Sequence, residues 1–278
     1  MSTEQQQDIR QISPIIVTAP TARNGVTLVQ RLINSTGSAI IYGEENVILD
    51  RIPSVISEYA KLNQKREMLE SRKQRFLSGD TEFWSSDLNA NPEVAMNIAF
   101  ECLLKLLNAM QIEAKSHGFD RFGIKNPMLY AGMMDRFQML IPQAQFIFIY
   151  RNPIDVVKSA KARKFITSLD DVADYAENWR DGCVEFLSKE RPNTLVIQYE
   201  SLTNGGETEI NQIEAFTGLT GVKREVLAKK INTFNGSPAQ GMSPTGYIDP
   251  ATLSEDEEKM IVDKAGTVMQ QLGYLPAS

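Results

Sequence analysis

The stretch IIVTAPTARNGVTLVQRLINS, residues 15–35, decides the fold. An apolar run, Ile15-Ile16-Val17, leads into a loop from Thr18 to Asn24. Gly25 then opens an amphipathic segment through Thr27, Leu28, Val29, Gln30, Arg31, Leu32 and Ile33. The order is strand, turn, helix, with a glycine at the helix start. Free backbone N–H groups and the positive end of the helix dipole make such a start an anion site. It is not a Walker A loop, because Gly25 is followed by Val26 and not by Lys-Ser/Thr. The loop therefore points to a phosphate-like ligand and away from an ordinary ATPase or GTPase. The same pattern also serves a plain structural βα turn, so the reading depends on a second segment.

That segment is QFIFIYRNPIDVVKSAKAR, residues 145–163. Phe146 to Tyr150 is a nearly continuous apolar run, as expected of a parallel strand buried on both faces. Arg151 follows at its carboxyl end, where open α/β sheets bind ligands. Asn152-Pro153 punctuates the chain, and a helix follows through Val156, Val157 and Ala160, with Ser159 about two turns in. A strand-end arginine and a helical serine can converge on one phosphate, the arginine through its charged fork and the serine through its hydroxyl. The alternative is an arginine capping a surface loop beside a solvated serine.

Together the two segments resemble the sulfotransferases that use 3′-phosphoadenosine 5′-phosphosulfate (PAPS). In that family a strand-loop-helix reading roughly P-[RK]-S-G-[TS]-T cradles the 5′-phosphosulfate. An R-[DN]-P segment, with a Ser eight residues after the Arg, holds the 3′-phosphate. The first corresponds to Pro20 and Arg23-Asn24-Gly25-Val26-Thr27, the second to Arg151-Asn152-Pro153 and Ser159. Gly43-Glu44-Glu45 resembles the tyrosylprotein sulfotransferases and their bacterial relatives. Lys125-Asn126-Pro127 resembles the K-x-P segment, and Tyr199-Glu200-Ser201-Leu202 the strand end Y-E-x-L. Phe216-Thr217-Gly218-Leu219 resembles F-x-G-L, and Leu272-Gly273-Tyr274 extends the match.

The resemblance implies an α/β fold: a P-loop-NTPase-like three-layer α/β/α architecture with a central parallel sheet, as one domain over residues 1–278. It implies sulfuryl transfer from PAPS to a hydroxyl of a small molecule, sugar or peptide. Arg23, Asn24, Gly25, Val26, Thr27, Arg151, Ser159 and Tyr199 are then expected at the nucleotide. Catalysis of in-line displacement should rest on positioning and electrostatic stabilisation. Arg23 and Lys125 can offset charge developing on the bridging oxygen and the sulfuryl group, and no metal is required because the cations are side chains. Glu45, matching the second Glu of G-E-E, is the expected general base, with Glu44 as its competitor; partial burial would raise a carboxylate from its ordinary pKa of about 4.3. The sole histidine, His117, matches no base position and reads as a helix-end residue. Asp155 and Glu200 read as structural.

The chain also departs from the family pattern. Asn24 stands where the loop has Ser and Val26 where it has Thr, which removes two hydroxyl donors and leaves the Asn24 amide and the backbone N–H groups. Val47 stands where close relatives carry Arg, which counts against acceptor recognition of the tyrosylprotein type. Lys229 and Lys230 are the candidates for the C-terminal basic residue that contacts the nucleotide. Two other readings are a kinase-like P-loop enzyme and a nucleotide binder of the same fold without catalysis.

Composition agrees with one large α/β domain: 278 residues, net charge −6 and pI near 5.1. The acidic balance argues against broad nucleic-acid binding, though a local basic site remains compatible with it. Cys102 and Cys183 read as buried thiols rather than a disulfide or metal pair. The polar start MSTEQQQDIR reads as neither signal peptide nor membrane anchor, so a cytoplasmic protein without membrane partners is expected, with residues 1–12 flexible.

Alternation of helix and strand continues along the chain, with helices over 127–140, 169–189, 206–217 and 254–272 and strands over 145–150 and 194–198. Residues 51–78 read as one charged helix with an apolar stripe through Ile52, Val55, Ile56, Tyr59 and Leu62, and 92–116 as a second helix. The 51–92 region matches no family segment. It is either a lid, with Phe83 and Trp84 at the acceptor, or a helical hairpin packed on the core.

Overall fold

The computed structural model describes residues 12–80, 82, 91–229 and 248–276. Five parallel strands form one sheet: β1 (Ile15–Thr18), β2 (Ala39–Tyr42), β3 (Arg121–Asn126), β4 (Gln145–Tyr150) and β5 (Thr194–Gln198), in the order β2-β3-β1-β4-β5. The strands alternate their side chains between two apolar layers. Ile15, Val17, Ile147 and Ile149 belong to one core cluster, and Ile16, Phe146 and Phe148 to another. This two-sided burial is why the strands read as continuous apolar runs.

Helices cover both faces. Those that follow the strands are α1 (Val26–Asn34), α2 (Ile52–Asn63), α3 (Arg66–Leu77), α4 (Pro92–Ser116) and α5 (Ala131–Leu140). The second half supplies α6 (Pro153–Ala162), α7 (Leu169–Leu187), α8 (Tyr199–Thr203), α9 (Glu207–Thr217) and α10 (Glu255–Gln271). Residues of α1 and α9 fill one layer with β1 and β4, and residues of α4 and α5 fill the opposite one. A third cluster joins α6, α7 and α10 around the fully buried Trp179. The three-layer α/β/α expectation thus holds, as a five-stranded parallel sheet flanked by helices.

The order places β1 between β3 and β4. The chain runs from β1 outward to β2, returns to β3, then crosses to β4 on the other side. Such a reversal opens a crevice beyond the carboxyl ends of the strands.

Several expectations are corrected. The helix over 51–78 is two helices, broken at Gln64-Lys65. The apolar stripe ends at Leu62, and α3 buries only Leu69, so nothing holds the second half in line with the first. The helix expected from 127 begins at Ala131, because Leu129 is drawn into backbone bonds with the Thr18 hydroxyl at 3.3 and 3.4 Å. Cys183 is buried as expected, but Cys102 is exposed on α4, and both are free thiols. Ile12 is buried, and residues 1–11 of the start lie outside the described residues, as do Phe83, Trp84 and Lys230. His117 is the C-cap of α4, as read.

Candidate active site

A pocket of about 430 Å³ opens at the carboxyl edge of the sheet, within the size range of small-ligand sites. Every strand delivers a lining residue just beyond or at its end. Arg23, Gly25, Val26 and Thr27 follow β1, and Glu44 follows β2. Lys125 lies at the end of β3, Arg151 follows β4, and Tyr199 and Thr203 follow β5. Ser159 enters from α6 and Lys229 from beyond α9. Among the described residues, the lining carries Arg23, Lys125, Arg151 and Lys229 against one acid, Glu44, on a protein whose net charge is −6. A local basic pocket on an acidic surface concentrates an anionic ligand there.

The loop before α1 is held in left-handed backbone, with φ of 74° at Arg23 and 107° at Gly25. Gly25 caps α1 with no side-chain hydrogen bond, and no acid occupies the first turn. The N–H groups that start the helix are thus left to an incoming acceptor. Gly25 is required twice. Its φ disfavours any side chain, and a Cβ would stand 2.5 Å from Tyr199 Cδ2 and 3.2 Å from Ile149 Cδ1. Gly25→Ala is expected to cost about 2–4 kcal/mol, combining left-handed strain with overpacking, read by denaturant unfolding.

Asn24 has a different task from the one its sequence position implies. Its side chain is 0% exposed. The amide donates to the Thr21 carbonyl and hydroxyl oxygens, both at 2.9 Å, and Oδ1 accepts from the Arg151 N–H at 3.0 Å. The expectation that this amide donates to a ligand is corrected: its hydrogen-bonding capacity is committed inside the protein, where it ties the β1 loop to the β4 turn. Tyr175 braces the same loop, its hydroxyl donating to the Ala22 carbonyl at 3.0 Å, and burial pushes that phenol up to about 12.

Arg151 lies with its guanidinium 4.4 Å above the Tyr199 ring and 3.6 Å from Asp155 Oδ2. Its side chain is 19% exposed, and its Nε is buried without a hydrogen-bond partner. A buried guanidinium donor left unsatisfied costs energy that an anion in the pocket would recover. Asp155, read as structural, pairs loosely with Arg151, and the cap of α6 is made by Asn152, whose Oδ1 accepts from the Ile154 N–H at 3.0 Å. Arg23 reaches across to the same side, its Nε donating to Ser159 Oγ at 3.0 Å. Arg23 and Ser159, assigned by the motifs to different ends of a nucleotide, are adjacent.

The acid facing this cluster is Glu44. Its carboxylate is 3.4 Å from Lys125 Nζ, with the lysine side chain 17% and the glutamate 50% exposed. Glu45 is exposed and off the pocket lining, and its carbonyl instead starts the turn that leads into α2 by accepting from the Ile48 and Leu49 N–H groups. The sequence reading missed Phe165, Thr203, Leu227 and Ala228, which also line the pocket. Phe165 is 57% exposed beside the left-handed Lys164, a conformation that no sequence pattern announces. Among the described residues, none of 51–80 lines the pocket, and no group of three or more His, Cys, Asp and Glu has a metal-site arrangement.

A strand, a glycine turn and a helix, with an arginine at the end of the adjacent strand, on a 2-3-1-4-5 parallel sheet, make an α/β fold of the P-loop type. The family model described as "Sulfotransferase family" matches residues 14–223, and the chain belongs to that family. The sulfotransferase domain from the curacin biosynthetic pathway superimposes with a TM-score of 0.51 at 14% identity, covering 95% of this chain and 98% of that one. The sulfotransferase domain of the Synechococcus PCC 7002 olefin synthase gives 0.49 at 16% identity, covering 90% and 94%. Sulfotransferase STF1 of Mycobacterium tuberculosis H37Rv gives 0.42 at 13% identity, covering 98% and 80%. The search of curated proteins gives no match. No helix among the described residues is long and apolar enough to cross a membrane.

Proposed function

We propose that this sulfotransferase takes PAPS as its donor and transfers the sulfuryl group to a hydroxyl of a small-molecule, sugar or peptide acceptor. The observation that carries the reading is the buried, unpartnered Arg151 Nε in a basic pocket next to the uncapped start of α1. These groups fit a ligand with two separate phosphates. Arg151 and Ser159 would hold the 3′-phosphate, joined by Arg23, which is bonded to Ser159. The backbone N–H groups of Gly25, Val26 and Thr27, with the Thr27 hydroxyl, would hold the 5′-phosphate. Tyr199 supports Arg151 from below through its ring face.

When bound, PAPS supplies an activated sulfuryl group whose link to the nucleotide phosphate breaks as the acceptor oxygen attacks. Lys125, 3.4 Å from the Glu44 carboxylate, would offset charge with its ammonium as charge builds on the leaving phosphate oxygen. Glu44, which lines the pocket, would remove the acceptor proton, whereas the motif match favoured Glu45. The cations are fixed side chains, so charge compensation needs little reorganisation.

Calorimetric titration with 3′-phosphoadenosine 5′-phosphate in the absence of magnesium tests the reading. Micromolar binding that is lost on removing the 3′-phosphate is the expected result. A preference for ADP with magnesium would replace it with the kinase-like reading, and binding without turnover on any hydroxyl acceptor would favour the non-catalytic one.

A further inference from the structure

The turn that launches Arg151 is held by side chains from four parts of the chain. Arg151 N–H donates to Asn24 Oδ1 at 3.0 Å, and the Arg151 carbonyl accepts from Trp179 Nε1 at 3.1 Å. Asn152 N–H donates to Glu200 Oε1 at 2.9 Å. The second oxygen of that carboxylate, Oε2, accepts from the Tyr274 hydroxyl at 2.8 Å. Tyr274 is far along the chain, beyond the end of α10, and the mechanism makes no use of it.

Its arrival there is built locally. Gly273 follows the last turn of α10 with φ 77°. Its N–H donates to the Gln270 carbonyl at 3.1 Å, and the Tyr274 N–H to the Met269 carbonyl at 2.7 Å. This pair of bonds is a Schellman ending, which reverses the chain just past a helix. The reversal sends the Tyr274 ring back between Tyr150, at 6.3 Å and 80°, and Trp179, at 6.4 Å and 60°. Burial there raises the pKa of the Tyr274 phenol, so it stays a donor at every ordinary pH.

We infer that Tyr274 is a positioning residue for the 3′-phosphate arginine, acting through Glu200 on the Arg151–Asn152 backbone; the inference rests on the nucleotide reading above. The physical argument is one of bond commitment. A carboxylate with both oxygens bonded has one orientation, and its Oε1 can then hold the Asn152 N–H rather than turn to water or to Arg151 itself. Removing the phenol frees one oxygen of a half-buried carboxylate, which rotates to be solvated and lets the Asn152 tie go. Asn152 is also the N-cap of α6, the helix that carries Ser159, so both 3′-phosphate groups depend on this turn.

The test is Tyr274→Phe, which deletes one oxygen, in the full chain. Titrations with 3′-phosphoadenosine 5′-phosphate and with AMP separate the 3′-phosphate contribution from the rest of the nucleotide. The variant is expected to lose about tenfold in affinity for the bisphosphate and less than twofold for AMP. Hydrogen exchange at the Asn152 amide, measured without nucleotide, is expected to accelerate. Glu200→Gln keeps an acceptor for Asn152 and a partner for the phenol, so it should stay within about twofold of wild type, while Glu200→Ala should match Tyr274→Phe. Unchanged exchange with an unchanged bisphosphate-to-AMP ratio overturns the inference, as does an equal loss for both ligands. If Tyr274→Phe does not fold, the Glu200→Gln and Glu200→Ala pair decides it, and equal behaviour of those two overturns it. A wild-type protein that does not distinguish the bisphosphate from AMP removes the nucleotide reading and the inference together, an outcome separate from a discriminating wild type with an indifferent variant.

Discussion

Arg151→Ala should weaken binding of 3′-phosphoadenosine 5′-phosphate by a hundredfold or more, about 3 kcal/mol, in a calorimetric titration. The size follows from what the side chain holds in reserve. Its guanidinium is only 19% exposed, is supported by the Tyr199 ring at 4.4 Å, and keeps a buried Nε without a partner. The desolvation of this cation is therefore already in place before a ligand arrives, and a phosphate would meet a pre-oriented fork. The competing attraction of Asp155 is weak, at 3.6 Å and with the acid 46% exposed. Arg151→Lys should recover part of the affinity, because charge returns without the planar fork. AMP binding should change little in both variants. Equal affinity of Arg151→Ala and wild type for the bisphosphate would remove the 3′-phosphate assignment.

The second large effect concerns turnover rather than binding. Glu44→Gln should lower kcat by about 10²–10⁴, the range for loss of a general base, with bisphosphate affinity nearly unchanged. Glu45→Gln should keep turnover within a few-fold of wild type. The prediction rests on the Glu44 carboxylate lining the pocket 3.4 Å from Lys125, while Glu45 lies exposed off the lining. The opposite ranking would assign the base to Glu45, as the motif match has it, and would mean that the segment after β2 turns over when an acceptor binds. Both variants remove a charge without removing volume, so a difference between them reports position. A hydroxyl acceptor must first be found by screening, and the bisphosphate titration identifies properly folded variants for that assay.

Much of this site was legible because its motifs are local. A buried strand, a glycine turn and an amphipathic helix are neighbours in sequence, so β1, the loop and α1 follow from residues 15–35 alone. The same holds for β4, Arg151, the Asn152-Pro153 helix start and Ser159. Two parallel strands with helices between them place their loops on the same sheet edge, so the convergence of Gly25 and Arg151 also follows from the pattern. Less legible were β2 and the strand nature of Arg121–Asn126, which is short and contains polar residues.

Sequence by itself determined the fold class, the glycine turn that starts α1 and the cationic residues found at the pocket, because those depend on residue type and short-range spacing. Tertiary structure alone decided where the side chains point. Consecutive glutamates cannot be ranked by spacing, yet the turn after β2 presents Glu44 to Lys125 and leaves Glu45 off the pocket lining. Asn24 looks like a ligand donor until the Arg151 backbone and Thr21 occupy its amide. Arg23 meets Ser159 across 136 residues of chain, and Tyr274 meets Glu200 across 74. A hydrogen bond depends on ångström distances between groups that folding brings together, and no local pattern encodes a distance between residues so far apart in the chain.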